Sequence, residues 1–302
     1  FVEAQRHAVG AYPPSRFPDP ASAMVDAERR ADFEEDAAHY ESSYFLTFTF
    51  LPPAEDAARA ESWLYEGKAD RGVDAWEALR GFVDRTDRIL QLVEAFMPEC
   101  AWLDDVETLT FLHSTVSTKR YRVRVPETPM YLDALVADQP LTGGLEPQLG
   151  EAHLRILTIV GFPTATTPGI LDELNRLAFP YRWVTRAILL DKTDVTNEAS
   201  VLVDTDAANK AADADLALQE LGADYAGQAY VTATIAVWDV DPRVAAEKLR
   251  LVEKLVQGRD FTAMPETINA ADAWLGSLPG HVYANVRQPP ISTLNLAHMI
   301  PL

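Results

Sequence analysis

The sequence predicts an α/β fold, with an α+β arrangement as the alternative: mixed β-sheet layers flanked by helices and built from recurring strand-helix-strand units. Three observations predict it. Tyr230 to Trp238 alternates between Tyr230, Thr232, Thr234 and Val231, Ala233, Ile235, Val237, as a strand with two distinct faces does. The segment after Asp241 carries Pro242 in a first helical turn and Gly258 just past its end, with Ala245, Leu249, Val252 and Val256 on one face and Arg243, Glu247, Arg250 and Lys254 on the other. Runs of these two kinds alternate along the chain, which is the pattern of helices layered on a sheet.

At 302 residues there is enough chain for about two cores. The formal net charge of -20 argues against a sequence-specific nucleic-acid surface, because phosphate contacts need clustered Lys and Arg. Cys100 is the only cysteine, so an internal disulfide is excluded and a reducing compartment is expected. No apolar run approaches the roughly 20 residues of a spanning helix. The first residue is Phe1 and not Met, which suggests a piece of a longer protein.

Residues 1–42 read as a surface arm punctuated by Pro13, Pro14, Pro18 and Pro20, followed by an acidic helix around Met24 to Tyr40. A first α/β half is expected over residues 43–191. It opens with Tyr44 to Leu51 as a core strand ending at Pro52-Pro53. From Val73 to Met97, Trp76, Leu79, Val83, Leu90, Val93 and Met97 recur at helical spacing, and Pro98 ends the helix. Thr108 to Val116 reads as a strand. Lys119 to Val125, KRYRVRV, reads as a half-buried strand with Arg120, Arg122 and Arg124 outward, the alternative being an anion-binding or partner-docking face. Gly143-Gly144 marks a loop. His153 to Val160 is a buried strand leaving through the loop GFPTATTPG, and a short helix from Ile170 to Ala178 leads to a strand from Arg182 to Leu190.

A second half is expected over residues 199–275. Thr205 or Asp206 caps an alanine-rich helix ending at Gly222; the Tyr230 strand, the Asp241-capped helix and a strand from Arg259 to Met264 follow. Residues 276–302 form a connector, with breaks at Gly276, Pro279 and Gly280, a short strand from His281 to Val286, and breaks at Pro289 and Pro290. Tyr283, Val286, Ile291, Leu294, Leu296, Met299 and Ile300 are too apolar for a free tail and are expected to be covered by a further domain.

Sites of chemistry are sparse. No GxxxxGK[ST] and no strand-linked GxGxxG occurs, so no phosphate loop is present in these residues. Asp204 and Asp206 follow the apolar run Val201 to Val203; helix capping explains them, while a divalent metal in a nucleotide-sugar transferase is the alternative from another class. His113 and Ser114 point to opposite faces if their segment is a strand, so they cannot share a proton. His281 and His298 lack a second ligand at metal spacing, and Cys100 reads as a small core residue.

Long phrases carry a more specific signal: ESSYFLTFTFLPP, MPECAWLDD, LHSTVSTKRYRVRVPETPMYLDAL, LTGGLEPQLG, GFPTATTPGILDELNRLAFPYRWVTRAILLDK, LVDTDAANKAADADLALQELG and, at the end, WLGSLPG and ANVRQPPISTLNLAHMIP. With these the chain resembles the part of TrbE-like (VirB/Trb/CagE) conjugal-transfer ATPases of type IV secretion systems that precedes their nucleotide-binding domain. The resemblance implies a docking and assembly domain whose motor, using ATP and Mg, follows Leu302 and energises pilus assembly and substrate transfer. It implies a place in the bacterial cytoplasm at the inner membrane, hexameric assembly of the parent, and partners among the channel's membrane components. Tyr283, Asn285, Arg287, Asn295 and His298 are the expected contacts to the motor domain. Relatives carry a longer basic segment after Asp191, so residues are expected to be missing between Thr193 and Asn197.

Overall fold

The longest strand of the computed structural model is also its central one. The structure describes residues 1–36, 39–49, 75–163, 165–190, 227–281 and 287–300. They fall into two compact units, one made of residues 1–47 with 139–302 and the other of residues 48–138.

The larger unit is one antiparallel sheet. Its strands are β1 (Val2–Ala8), β2 (Tyr40–Leu46), β3 (Leu141–Thr142), β4 (Gln148–Leu149), β5 (Ala152–Gly161), β6 (Tyr181–Leu189), β7 (Gln228–Asp239), β8 (Thr262–Pro265) and β9 (Pro290–Ser292). The order is β2-β1-β6-β7-β5-β4-β3, with β8 on β5 and β9 on β7. Along β7, Ala229, Val231, Ala233, Ile235 and Val237 are fully buried and face one side. Helix α5 (Pro242–Gln257) packs there, on β5, β7 and β8, through Ala245, Leu249, Val252 and Val256. Asp241 caps it by accepting from the Arg243 amide at 2.7 Å, so this helix starts and stops where the sequence says. Each fully enclosed Val, Leu or Ile contributes about 1.5–3 kcal/mol relative to exposure, and this layer is the main core.

The opposite face is also covered. Helix α6 (Ala270–Leu275) packs on β5 and β7 and buries Ala270, Ala273 and Trp274. Where β8 joins β5 the register shifts between Ile159 and Gly161, and a Cβ at Gly161 would meet the Thr262 side chain at 2.9 Å. Only glycine fits that bulge.

Several expectations are corrected here. Val2–Ala8 is not part of a surface arm but an interior strand paired on both sides, with Glu3, Ala4 and Gln5 buried. The acidic helix forms as α1 (Pro20–Asp36). The strand expected at Tyr44 to Leu51 starts earlier and lies at the sheet's edge, with Tyr44 and Leu46 near 44% and 45% exposed, so it is not a core element. The Ile170 to Ala178 helix is a single 3-10 turn at Asp172–Arg176. Every described strand pairing is antiparallel, and β7 from the expected second half lies between β5 and β6 of the first. The helix capped at Asp206, the strand at residues 282–286 and the junction between Thr193 and Asn197 lie outside the described residues.

In the smaller unit, α2 (Ala75–Glu94) forms as the spacing predicts. The segment expected as a strand at Thr108 to Val116 is instead α3 (Asp105–Val116). Asp104 and Glu107 form a reciprocal capping box, at 2.7 and 2.9 Å, which starts a helix despite the β-branched composition. The threonine hydroxyls that would favour a strand donate back to carbonyls one turn earlier, Thr110 to Val106 and Thr115 to Leu112, both at 2.7 Å. Lys119 to Val125 is irregular and not a strand: the Val123 amide donates to Thr110 Oγ1 at 3.0 Å. A short helix, α4 (Leu132–Val136), packs on α3. His113 and Ser114 therefore sit about 100° apart on a helix, so the opposite-face argument against their pairing no longer applies. His113 is fully buried, its Nε2 3.4 Å from Asp138 Oδ1 and its ring 4.1 Å from that of Tyr121, while Lys119 Nζ lies 3.4 Å from Asp138 Oδ2. Cys100 is half-buried.

Burial holds the His113 pKa below its ordinary 6.5, against the pull of Asp138, so the ring is neutral in the fold and gains its proton more readily when unfolded. The stability this contributes is complete above pH 6.5 and is lost as pH falls below that value. The expected outcome is a melting temperature that drops between pH 7.5 and 5.5, and a shallower drop in His113→Gln, followed by circular dichroism.

Candidate functional site

The candidate site is the C-terminal segment and the sheet residues that hold it. Strand β6 alternates: Tyr181 and Trp183 enter the main core, which leaves Arg182, Val184 and Arg186 on the other face. Both arginines are buried, at 4% and 2% exposed, and burial lowers both guanidinium pKa values. A buried guanidinium is retained only when its charge and donors are met. The antiparallel register sets Gln5 opposite Arg182 and Glu3 opposite Val184, so Glu3 lies diagonally beside Arg182, Oε1 to Nε at 3.5 Å. Gln5 Nε2 donates to the same Glu3 oxygen at 2.7 Å. Burial raises the Glu3 pKa, with Arg182 and Gln5 pulling it back.

From this face the arginines reach the chain that follows α6. Arg182 Nη2 donates to Ser277 Oγ, which donates to Trp274 O at 2.6 Å. Arg186 donates to Thr232 Oγ1 at 2.9 Å and to His281 O at 3.3 Å. Thr232 in turn donates to Arg287 O at 3.1 Å. The Arg287 side chain forks onto Glu266, at 2.6 and 3.3 Å, and Glu266 is 6% exposed. Such bidentate pairing fixes direction as well as distance.

Beyond Arg287 the fastening continues. Val231 N donates to Pro289 O at 3.0 Å, and β9 pairs with Gln228–Tyr230. Ser292 caps α7 (Thr293–Met299). Thr166, in the loop GFPTATTPG, donates to Asn295 Oδ1 at 2.8 Å and lies 2.7 Å from His298 Nδ1. Its single proton is thereby committed, which assigns the proton on His298 Nδ1 as the donor of the second bond. Ile291 and Met299, at 6% and 1% exposed, belong to the main core and Leu296 packs against it, whereas Leu294 and Ile300 stay 38% and 37% exposed. The expectation that this whole segment awaits an outside cover is corrected for Ile291 and Met299, because both are already buried in the main core, β9 and α7 lying on β7. Thr166→Val is expected to cost about 1–3 kcal/mol and to speed amide exchange in α7, read by hydrogen exchange.

Comparison with known proteins decides the family. Residues 103–287 match the model for the CagE, TrbE, VirB family, component of type IV transporter system, and residues 1–58 match that for the type IV secretion system ATPase VirB4/TrbE, N-terminal domain. The chain belongs to the CagE/TrbE/VirB family. It is 32% identical over 340 aligned residues to a conjugal transfer protein TrbE of Rhizobium radiobacter, covering 100% of this chain and 41% of that protein. It is 33% identical over 218 residues to the second portion of a probable conjugal transfer protein TrbE of Sinorhizobium fredii, covering 65% of this chain and 33% of that protein. The chain thus spans about two fifths or less of the length of these relatives.

The CagE/TrbE/VirB match includes β5, β7, α5, α6 and β6, the strand that carries Arg182 and Arg186. Of the five sequence-predicted contacts, Arg287, Asn295 and His298 are held by Glu266 and Thr166 of the same chain. Tyr283 and Asn285 lie outside the described residues. Glu3, Arg182, Arg186, Thr166 and Ser277 were not anticipated. Their signal was present: Arg182 and Arg186 are four apart in an otherwise apolar strand, which puts both on one face. The metal-dependent transferase finds no support in the comparisons, Asp204 and Asp206 lie outside the described residues, and no group of three or more metal-ligating side chains occurs among those described.

Proposed function

We propose that the chain is the N-terminal docking and assembly part of a type IV secretion ATPase of conjugal transfer. On this reading residues 276–302 are the connector to a motor domain, and that motor binds ATP with Mg and hydrolyses it, since these residues carry no phosphate loop. The parent works as a homo-oligomer, a hexamer by the resemblance, at the cytoplasmic face of the bacterial inner membrane. Its partners are membrane components of the channel, without sequence-specific nucleic-acid contact. Among the described residues no helix is long and apolar enough to cross a membrane; peripheral attachment is part of the reading by resemblance.

One observation carries the proposal beyond the family match: the segment leading to the expected motor is stitched to the central strand at Thr232, Val231 and Tyr230. A connector fixed to a rigid sheet transmits displacement; a loose tail does not. The test is a parent protein carrying Arg186→Ala. Transfer frequency in mating assays is expected to fall by at least about tenfold, while ATP hydrolysis by the purified parent is retained, as for loss of a buried charged hydrogen bond of about 1.5–3 kcal/mol. Unchanged transfer, or ATP turnover by the 302-residue chain alone, would refute it.

A further inference from the structure

One lane of the sheet has two candidate occupants. β5 runs antiparallel along β7 only as far as Ile159 opposite Ala233, and then bulges toward β8, with Gly161 against Thr262. Beyond Ala233, toward the start of β7, β6 still covers one edge, with Ile188 opposite Tyr230 and Leu189 opposite Ala229. β9 therefore lies on the other edge, in the lane that β5 has left, with Pro290 opposite Tyr230 and Ile291 opposite Ala229. Continued in register, β5 would set Gly161 opposite Val231, Phe162 opposite Tyr230 and Pro163 opposite Ala229, in the places that Pro289, Pro290 and Ile291 hold.

Backbone chemistry separates the two. Val231 N donates to Pro289 O at 3.0 Å, and Thr293 N donates to Gly227 O at 2.8 Å. Hydrogen-bonded pairs of an antiparallel ladder alternate, so Ala229 and Ile291 form the hydrogen-bonded pair between them, and the Ala229 carbonyl accepts from Ile291 N–H. Pro163 has no N–H to give in that place, and Ala229 is fully buried, so its carbonyl would be left unpaired. At Val231 the preference is reversed, since Gly161 carries the N–H that Pro289 lacks. Burial of Ile291 and Met299 adds to the bias toward β9. We propose that Pro163 reserves this lane for the C-terminal segment: it bars the continuation of β5 from β7, so that β9 docks by strand addition and its release leaves the lane bare. A residue with an N–H at position 163 turns the lane into a slot that β5 and β9 contest, with Phe162 paired across to Tyr230 when β5 holds it. The inference rests on strand register within the larger unit and is independent of the secretion assignment.

The test is hydrogen exchange of Pro163→Val in the 302-residue chain, with Pro168→Val as the control for loosening of the same loop and circular dichroism to verify that each variant is folded. Amides of residues 287–300 are expected to exchange about tenfold faster in Pro163→Val, the worth of one buried backbone hydrogen bond. Those of Ala229 and Val231 stay protected, because the carbonyls of residues 163 and 161 then accept from them; loosening alone would expose both sets together. Cysteine pairs read the same exchange covalently, each with Cys100→Ser. Tyr230→Cys/Pro290→Cys joins β9 to β7 and Tyr230→Cys/Phe162→Cys joins β5 to it, both at a non-hydrogen-bonded position, where the strands approach closely enough for a disulfide. With Pro163 in place the first pair closes faster than the second, and adding Pro163→Val speeds the second about tenfold. Residues 287–300 exchanging no faster in Pro163→Val than in Pro168→Val, Ala229 losing protection along with them, or a Phe162 pair indifferent to Pro163→Val would overturn the proposal.

Discussion

Arg182→Ala is expected to lower unfolding free energy by roughly 3–5 kcal/mol, because it leaves Glu3 as an uncompensated buried charge. Glu3 is 1% exposed, and its other direct partner is the Gln5 amide at 2.7 Å. Ser277 also loses the donor that ties the end of α6 to β6. Urea unfolding followed by tryptophan fluorescence reads the loss. The double variant Glu3→Gln/Arg182→Met removes both charges and is expected to recover most of it, since replacing a buried pair whole costs far less than breaking it. A single variant as stable as the wild type would show that the Glu3 carboxyl is already neutral or hydrated in the fold.

Met299→Ala is the second large effect, with an expected loss of about 2–5 kcal/mol. Met299 is 1% exposed in the cluster with Val231, Val256 and Ile291, so truncation opens a cavity in the main core and not at a chain end. The loss is expected to resemble that of Val252→Ala on α5, measured in the same urea titration. A Met299 variant costing only a few tenths of a kcal/mol, as typical of a surface change, would show α7 to be detached in solution.

The legible parts of the fold were those whose signals are local. Strict alternation placed β7, and Asp241, Pro242 and Gly258 placed both ends of α5. Where two local signals disagreed, composition misled: threonine and phenylalanine in Thr108 to Val116 suggest a strand, but Asp104 and Glu107 satisfy the first-turn amides of a helix, and capping outweighs weak propensity. β1 was missed because VEAQRHA reads as polar, although Glu3 and Gln5 are inward partners of Arg182. That relation depends on the pairing of β1 with β6, nearly 180 residues away in sequence, and no local pattern encodes such a register. The antiparallel order was hidden for the same reason. At the candidate site Arg287, Asn295 and His298 were legible as polar groups in an apolar segment; their partners Glu266 and Thr166 were not, being distant in sequence.

Hydrogen exchange of the 302-residue chain, resolved by mass spectrometry to peptides covering Gln228–Asp239 and residues 287–300, tests most directly whether the C-terminal segment is built into the sheet. The amides of β9 and α7 are expected to exchange nearly as slowly as those of β7 and to lose protection together with them in Arg186→Ala. Exchange of residues 287–300 at the rate of a free peptide, with β7 still protected, would contradict the account.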